Sequence, residues 1–231
     1  MARTKNKKRT EEQKEKIANS AIKLFIKKGY DNSSINQIIK ASNTNKGTFY
    51  HYFNSKENLM NFLAEKIISA MIPGVEKIAN DPHLNALEKM KKSFTSIKSF
   101  KFKNRKKIML LSQVMYREEN LKLRYYINNI AMDLYKPIYT KIIIQGKKEK
   151  LFNVDNAEDT AEFMFRSAIS MGEMLVPILL QKKISIKNIT IFIRKVNFYK
   201  KIIKKILGIK NNNFNIFDFD QTIIKKMFKS K

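Results

Sequence analysis

The chain has 231 residues, 43% hydrophobic and 11% aromatic, enough for the core of one large or two small domains and too apolar for wholesale disorder. It contains no Cys, which removes disulfides, zinc–cysteine sites and thiol catalysis and suits a reducing cytoplasm, and its 6 Gly and 4 Pro argue against a loop-rich all-β fold. The formal charge of +27 points towards polyanions, but residues 1–60 hold 13 Lys and Arg against 5 Asp and Glu, a density close to that of the rest, so charge alone marks no binding face.

The first ten residues, MARTKNKKRT, form a basic arm without the apolar run of a secretory signal. Ile17, Ala18, Ala21, Ile22, Leu24 and Phe25 then recur at three- and four-residue spacing, which predicts a helix ending at Gly29. Ser33 or Ser34 caps a second short helix through Ile35, Ile38 and Ile39, and a third covers about 45–53. A fourth starts at Ser55, with Asn58 where a capping box prefers Glu or Gln. Pro73-Gly74 interrupts the apolar run 63–72, so the domain junction falls along this fourth helix. Asp81-Pro82 reads as an N-cap with Pro at the first helical position, ahead of a helix carrying Leu84, Leu87, Met90, Phe94 and Ile97. Further periodic runs lie at 108–118, 121–145, 156–182 and 186–207. Residues 147–154 read as a loop or a short hairpin, and 216–228 as a short amphipathic end piece. The predicted architecture is all-α, and with no stretch of about 18 uncharged apolar residues, no membrane span is expected.

Residues 17–59, IANSAIKLFIKKGYDNSSINQIIKASNTNKGTFYHYFNSKENL, closely resemble the N-terminal DNA-binding domain of the TetR family. The elements in register are the I..AA..LF...G helix, T/S-I-x-x-I-A, A-G-V-S-x-G-T-L-Y-x-Y-F and x-S-K-E-x-L. The phrase IIIQGKKEKLF, further on, is similar to that family's helix-glycine-turn before its last two helices. The resemblance implies a three-helix helix-turn-helix domain over 1–60, including the basic arm 1–10, and a helical effector-binding and dimerisation domain over 61–231. It implies a cytoplasmic homodimer that holds a palindromic double-stranded DNA operator, as a repressor, and releases it to a small-molecule effector. The chain departs from the pattern at Ser42, Asn43, Thr44 and Asn45, where the family has Ala-Gly-Val-Ser. Asn43 tolerates positive φ and Asn45 still caps the next helix, whereas Thr44 is polar at a half-buried site and is expected to loosen the turn.

A helix fits the major groove, with its N-terminal residues at base edges and flanking groups on phosphates. On the third helix, Gly47 permits close backbone approach, Lys46 takes a base edge or a phosphate, and Thr48 a thymine methyl or a phosphate. Tyr50 and His51 donate to phosphate from the outer edge, although His51 also reads as a solvated surface histidine. Phe49 and Phe53, four apart, form the inward stripe, and of Tyr50 and Tyr52 one is core and one contact. Lys56 at the start of the fourth helix, with Ser33 and Ser34 at the start of the second, is placed for phosphate.

In the second domain, 161–180 (AEFMFRSAISMGEMLVPILL) is apolar on nearly every face, so it needs cover on both sides, from its own core and from a second copy. Ile189, Phe192, Ile193, Val196 and Ile203 mark its partner helix. Polar groups set in apolar helices nominate an effector pocket between 108–118, 121–145 and 156–182: Gln113, Tyr116, Arg117, Asn129, Arg166, Ser170 and Glu173. An internal pair of Arg166 with Glu162 or Glu173 is the competing reading. No enzyme, cofactor or metal site is expected, because the two histidines, His51 and His83, lie in different domains and no acid pair or nucleophile–base set has recognisable spacing. The rival function is a basic helical protein that binds RNA or anionic membrane without sequence specificity, supported by Ile202–Lys205 and Lys225–Lys229.

Overall fold

Helical periodicity becomes helices throughout: a computed structural model describes residues 2–181 and 185–210, the backbone alone for 2–9, and has no strand among them. The amphipathic piece 216–228 lies outside the described residues. The helices are α1 (Ala2–Lys28), α2 (Ile35–Ala41), α3 (Lys46–Tyr52), α4 (Lys56–Ser69), α5 (Ile72–Ala79), α6 (Ala86–Lys103), α7 (Arg105–Met115), α8 (Leu121–Lys148), α9 (Ala157–Leu180) and α10 (Ile186–Ile206), with a 3-10 turn at Glu118–Asn120.

Three elements differ from expectation. The first helix begins at Ala2, so the basic arm continues α1; residues 2–28 contain no Gly or Pro and many Lys, Arg, Glu and Gln, which favour helix. Near Pro73 the chain breaks into α4 and α5, with the ring accommodated in the first turn of α5, where its missing N–H costs nothing. Asp81 is not a helix cap: its carboxylate accepts from the His83 amide in a local turn. The cap of α6 is Asn85, whose Oδ1 accepts from the Glu88 amide while the Glu88 carboxylate accepts from the Asn85 amide.

The chain forms two compact units. The first joins the residues up to Ile68 with Asn104–Leu123, so it includes α7, a segment that a division at 60/61 assigns to the second domain. α7 packs on α1 and buries Leu110, Leu111, Val114 and Met115. The core of this unit holds Ile17, Ala18, Ala21, Phe25, Ile38, Phe49, Phe53 and Leu59, all nearly inaccessible. Lys66 of α4 pairs with Glu15 of α1 at 2.8 Å.

The second unit holds Ser69–Lys103 and, of the described residues, those from Arg124 to Lys210. Its interior contains Met90, Ile142, Ile143, Met164, Val196, Ile203 and Leu207. Of residues 147–154, the first two end α8 and the rest form a loop, where the amides of Leu151 and Phe152 both donate to the Gly146 carbonyl. A Cβ on Gly146 would collide with the Phe152 ring, so glycine lets this loop fold back on the helix. A buried lysine, Lys89, donates to the Ala79 carbonyl and to Gln145 Oε1, at 2.9 and 2.7 Å. α9 is long and apolar enough to cross a membrane by length and composition, with 11% of its most apolar window buried in the single chain. The sequence expectation of no such stretch rested on uncharged runs, whereas this helix meets the length and apolarity with Arg166 and Glu173 inside it.

Candidate nucleic-acid interface

The first unit builds its helix-turn-helix from local hydrogen bonds. Gly29 ends α1 at φ +89°, where a side chain would be strained, and its amide donates to the Phe25 carbonyl. Ser34 is the cap of α2, in a reciprocal box with Gln37. Asn43 takes φ +47° between α2 and α3, the left-handed conformation that asparagine tolerates. Asn45 caps α3 by accepting the Thr48 amide at 2.7 Å. Thr44 does not loosen this turn: its hydroxyl pairs with that of Ser42 at 2.8 Å, and Ser42 also donates to the Ile38 carbonyl. The two polar replacements satisfy each other.

On α3, burial sorts the residues cleanly. Phe49 is wholly buried and Phe53, just beyond the helix, nearly so, with ring centroids 6.0 Å apart. Lys46, Gly47, Tyr50 and His51 are exposed, Thr48 and Tyr52 half-buried. At 100° per residue, positions 46, 50, 47 and 51 share one arc of about 140°, and Phe49 lies outside it. Of the two tyrosines, Tyr50 is the outward one, 42% exposed. Asn45 spends its Oδ1 on the cap and keeps its amide nitrogen for other partners.

The turn between α1 and α2 corrects one expectation. Ser33 is fully buried, and its hydroxyl donates to the Gly29 carbonyl at 2.7 Å, which withdraws it from the set that faces solvent. Ser34 is exposed; its oxygen accepts the Gln37 amide, leaving its proton to donate. Lys56 points back into the protein: its Nζ donates to the carbonyls of Tyr30 and Ser33, at 3.0 and 3.2 Å, and sits 4.3 Å from the Tyr30 ring centroid. Its ammonium thus clasps this turn with two of its three N–H donors. Burial, with the nearby charges of Glu57 and Asp31, pushes the Tyr30 hydroxyl up to about 12.

The residues nominated from sequence for an effector pocket fall in both units. Gln113, Tyr116 and Arg117 belong to the first unit, and Arg117 pairs with Asp31 in the α1–α2 turn. Gln113, Asn129, Ser170 and Glu173 are exposed. Arg166, also exposed, forms the internal pair with Glu162 at 2.7 Å, and Glu173 pairs with Arg124 at 3.6 Å. Polar residues on these helices face outward because paired charges remain hydrated at little cost. Sequence reasoning missed Asp31, whose partner lies far along the chain, and the burial of the unpartnered hydroxyls of Tyr135 and Tyr139, which read as ordinary apolar-face aromatics. Their spacing of four within the run 121–145 was the available signal.

Residues 17–62 match the family model described as "Bacterial regulatory proteins, tetR family". The chain is 32% identical over 142 residues to the HTH-type transcriptional regulator QacR of Staphylococcus aureus, spanning 61% of this chain and 63% of that one. Among solved structures, a TetR-family transcriptional regulator from Mesorhizobium loti is similar over 84% of this chain and 98% of its own, with TM-score 0.60 and 13% identity. The fatty acid degradation regulator FadR from Bacillus halodurans is similar over 88% and 97%, with TM-score 0.59 and 18% identity. At such identities the structural likeness is one of fold.

Proposed function

This chain belongs to the TetR family of bacterial regulatory proteins, and we propose on that premise that it is a ligand-responsive transcription regulator, a repressor that binds a palindromic operator as a homodimer. The observation that carries the reading is the exposed strip Lys46, Gly47, Tyr50 and His51 on a short helix anchored in the core by Phe49 and, just beyond it, Phe53. Such a helix enters the major groove with Lys46 and the Gly47 backbone at base edges. Tyr50 and His51 hold phosphates from the flank, with Ser34, Thr48 and the Asn45 amide nitrogen beside them. The basic first turns of α1 add sequence-independent attraction.

Two such heads read two half-sites, which requires a partner copy. α9 supplies the face: its apolar surface is left largely uncovered, with Phe163 and Met174 exposed, and Phe198 of the neighbouring α10 is 64% exposed. An uncovered apolar face of this size is what an obligate interface removes from water. The proposed domains are the first unit as reading head and the second as effector-binding and dimerisation domain. A ligand releases the operator by favouring the form in which the two heads are wrongly spaced. A coupling of about 1–3 kcal/mol would change DNA affinity by about 5–150-fold.

The test is selection of duplexes from a random pool at physiological salt. Recovery of one palindromic sequence whose preference over random DNA survives added salt is the expected result. Equal, salt-labile binding to every duplex, to RNA and to anionic vesicles would instead establish the nonspecific polyanion binder.

A further inference from the structure

Two phenols in the second unit are buried with nothing to bond. Tyr135 and Tyr139 lie one turn apart on α8, 3% and 5% exposed, and neither hydroxyl has a hydrogen-bond partner. The Tyr135 ring stacks on Phe165 of α9 at 5.5 Å and 24°, and the Tyr139 ring lies 5.7 Å from Phe94 of α6. The two phenol rings are 6.4 Å apart. A third phenol near Tyr139, Tyr199 of α10, differs in donating to the Met164 carbonyl at 3.0 Å. Burial without a partner costs a hydroxyl its hydration, a cost that phenylalanine at either position would avoid.

We infer that Tyr135 and Tyr139 are the recognition point for a neutral, planar aromatic molecule carrying an oxygen function, held against the rings of Phe94 and Phe165 and hydrogen-bonded by the two phenols. This rests on the ligand-responsive reading above and supplies its site and ligand class. Aromatic faces from three helices suit a flat apolar body, and two free hydroxyls, each donor and acceptor, suit a polar edge. Neutrality follows from the surroundings. Burial raises both phenol pKa values, with the neighbouring phenols adding to the rise at Tyr139. Buried Lys89 on α6 spends its ammonium on Ala79 and Gln145. A charged ligand would give up its hydration to sit among these rings. Pro137 lies between the tyrosines and gives no N–H to the Asp133 carbonyl, so this is the turn of α8 that shifts at least cost to admit a ring. The open groove lined by Lys136, Pro137, Thr140 and Ile144 lies on the opposite side of α8 and is a separate feature.

The experiment compares the full chain with Tyr135→Phe, Tyr139→Phe and the double variant. Calorimetric titration uses 1-naphthol, 1-naphthoate and N-methylquinolinium as neutral, anionic and cationic probes of one size. Melting temperature and affinity for the selected duplex are measured alongside. The expected results are unchanged or raised melting temperatures in the Phe variants, naphthol binding tighter than either ion, and a loss of about 2- to 10-fold in naphthol affinity per hydroxyl removed. The proposal is overturned if a Phe variant melts several degrees lower, which would mean that its hydroxyl is bonded within the protein. It is also overturned if an ion binds more tightly than naphthol, if no probe binds, or if naphthol binds the double variant as it binds the parent. Naphthol held through both phenols by a protein that selects no duplex would sustain the site while removing the regulator reading. A selected duplex released by other compounds equally from parent and double variant would do the reverse.

Discussion

The guanidinium of Arg117, at the joint between α7 and the 3-10 turn, holds the carboxylate of Asp31 in the turn between α1 and α2. Lys56 clasps the backbone of the same turn from the start of α4. The turn that aims α2 and α3 is thus fixed by two cations from separate parts of the chain.

Arg117→Gln tests the first of these. The guanidinium lowers the Asp31 carboxyl below its ordinary range, chiefly through their hydrogen bond. A depressed folded pKa contributes stability above the unfolded value, and that contribution is lost as pH falls through the folded one. Side-chain exposures of 34% and 57% keep it within about 0–1 kcal/mol and sensitive to salt. Urea melts should show the parent slightly more stable at pH 7, with the two proteins converging in acid. A gap that persists below the carboxylate range would remove the pair as its cause.

Lys56→Met, which keeps the stem and removes the ammonium, should cost about 1–3 kcal/mol from two charge-assisted bonds and a cation–π contact. DNA binding should weaken for all sequences alike, with the slope of affinity against salt unchanged. A slope reduced by about one is the signature of a lost phosphate contact and would restore the role that the motif suggests.

Gly47→Ala separates folding from reading. An added Cβ would meet Asn45 Oδ1 at 3.5 Å, an ordinary contact, and helix propensity improves by ~1 kcal/mol. The variant should melt at or above the parent temperature and lose the selected operator, because the methyl stands between backbone and base edge. Lys46→Ala should cost about 1–3 kcal/mol of binding and relax preference at one operator position. Parent-like operator affinity in both variants would show that α3 is not the reader.

Light scattering at micromolar concentration should report twice 27.2 kDa. Phe163→Glu combined with Phe198→Glu places charge on the uncovered face and should yield monomers with a folded helical spectrum. A parent that runs as a monomer removes the two-head arrangement.

The reading head was the most legible part of the chain, because its signals are local. Gly29, Ser34, Asn43 and Asn45 act within four residues of themselves, so spacing alone locates the turns and caps. Burial of a polar side chain is not local, and there inference from sequence failed. Gln113, Asn129 and Ser170 look out of place on apolar helices, yet each faces solvent. Lys56 has the residue type and position of a phosphate ligand, but two carbonyls of a turn some 25 residues earlier capture it. Arg117 could not be paired with Asp31 without knowing that α7 returns to α1.

That return has a consequence for anyone who would graft this head. Since α7 and Arg117 complete the first unit, residues 1–68 are not a transferable cassette. A chimaera joined after Ile68 keeps every groove-facing residue but sets α1 and Asp31 against a foreign α7 and a foreign joint. Specificity would be inherited from one parent and the stiffness of its mounting from the other. Transplanting 104–123 with the head, or choosing acceptors that carry an arginine at the equivalent of 117, would keep the mounting intact.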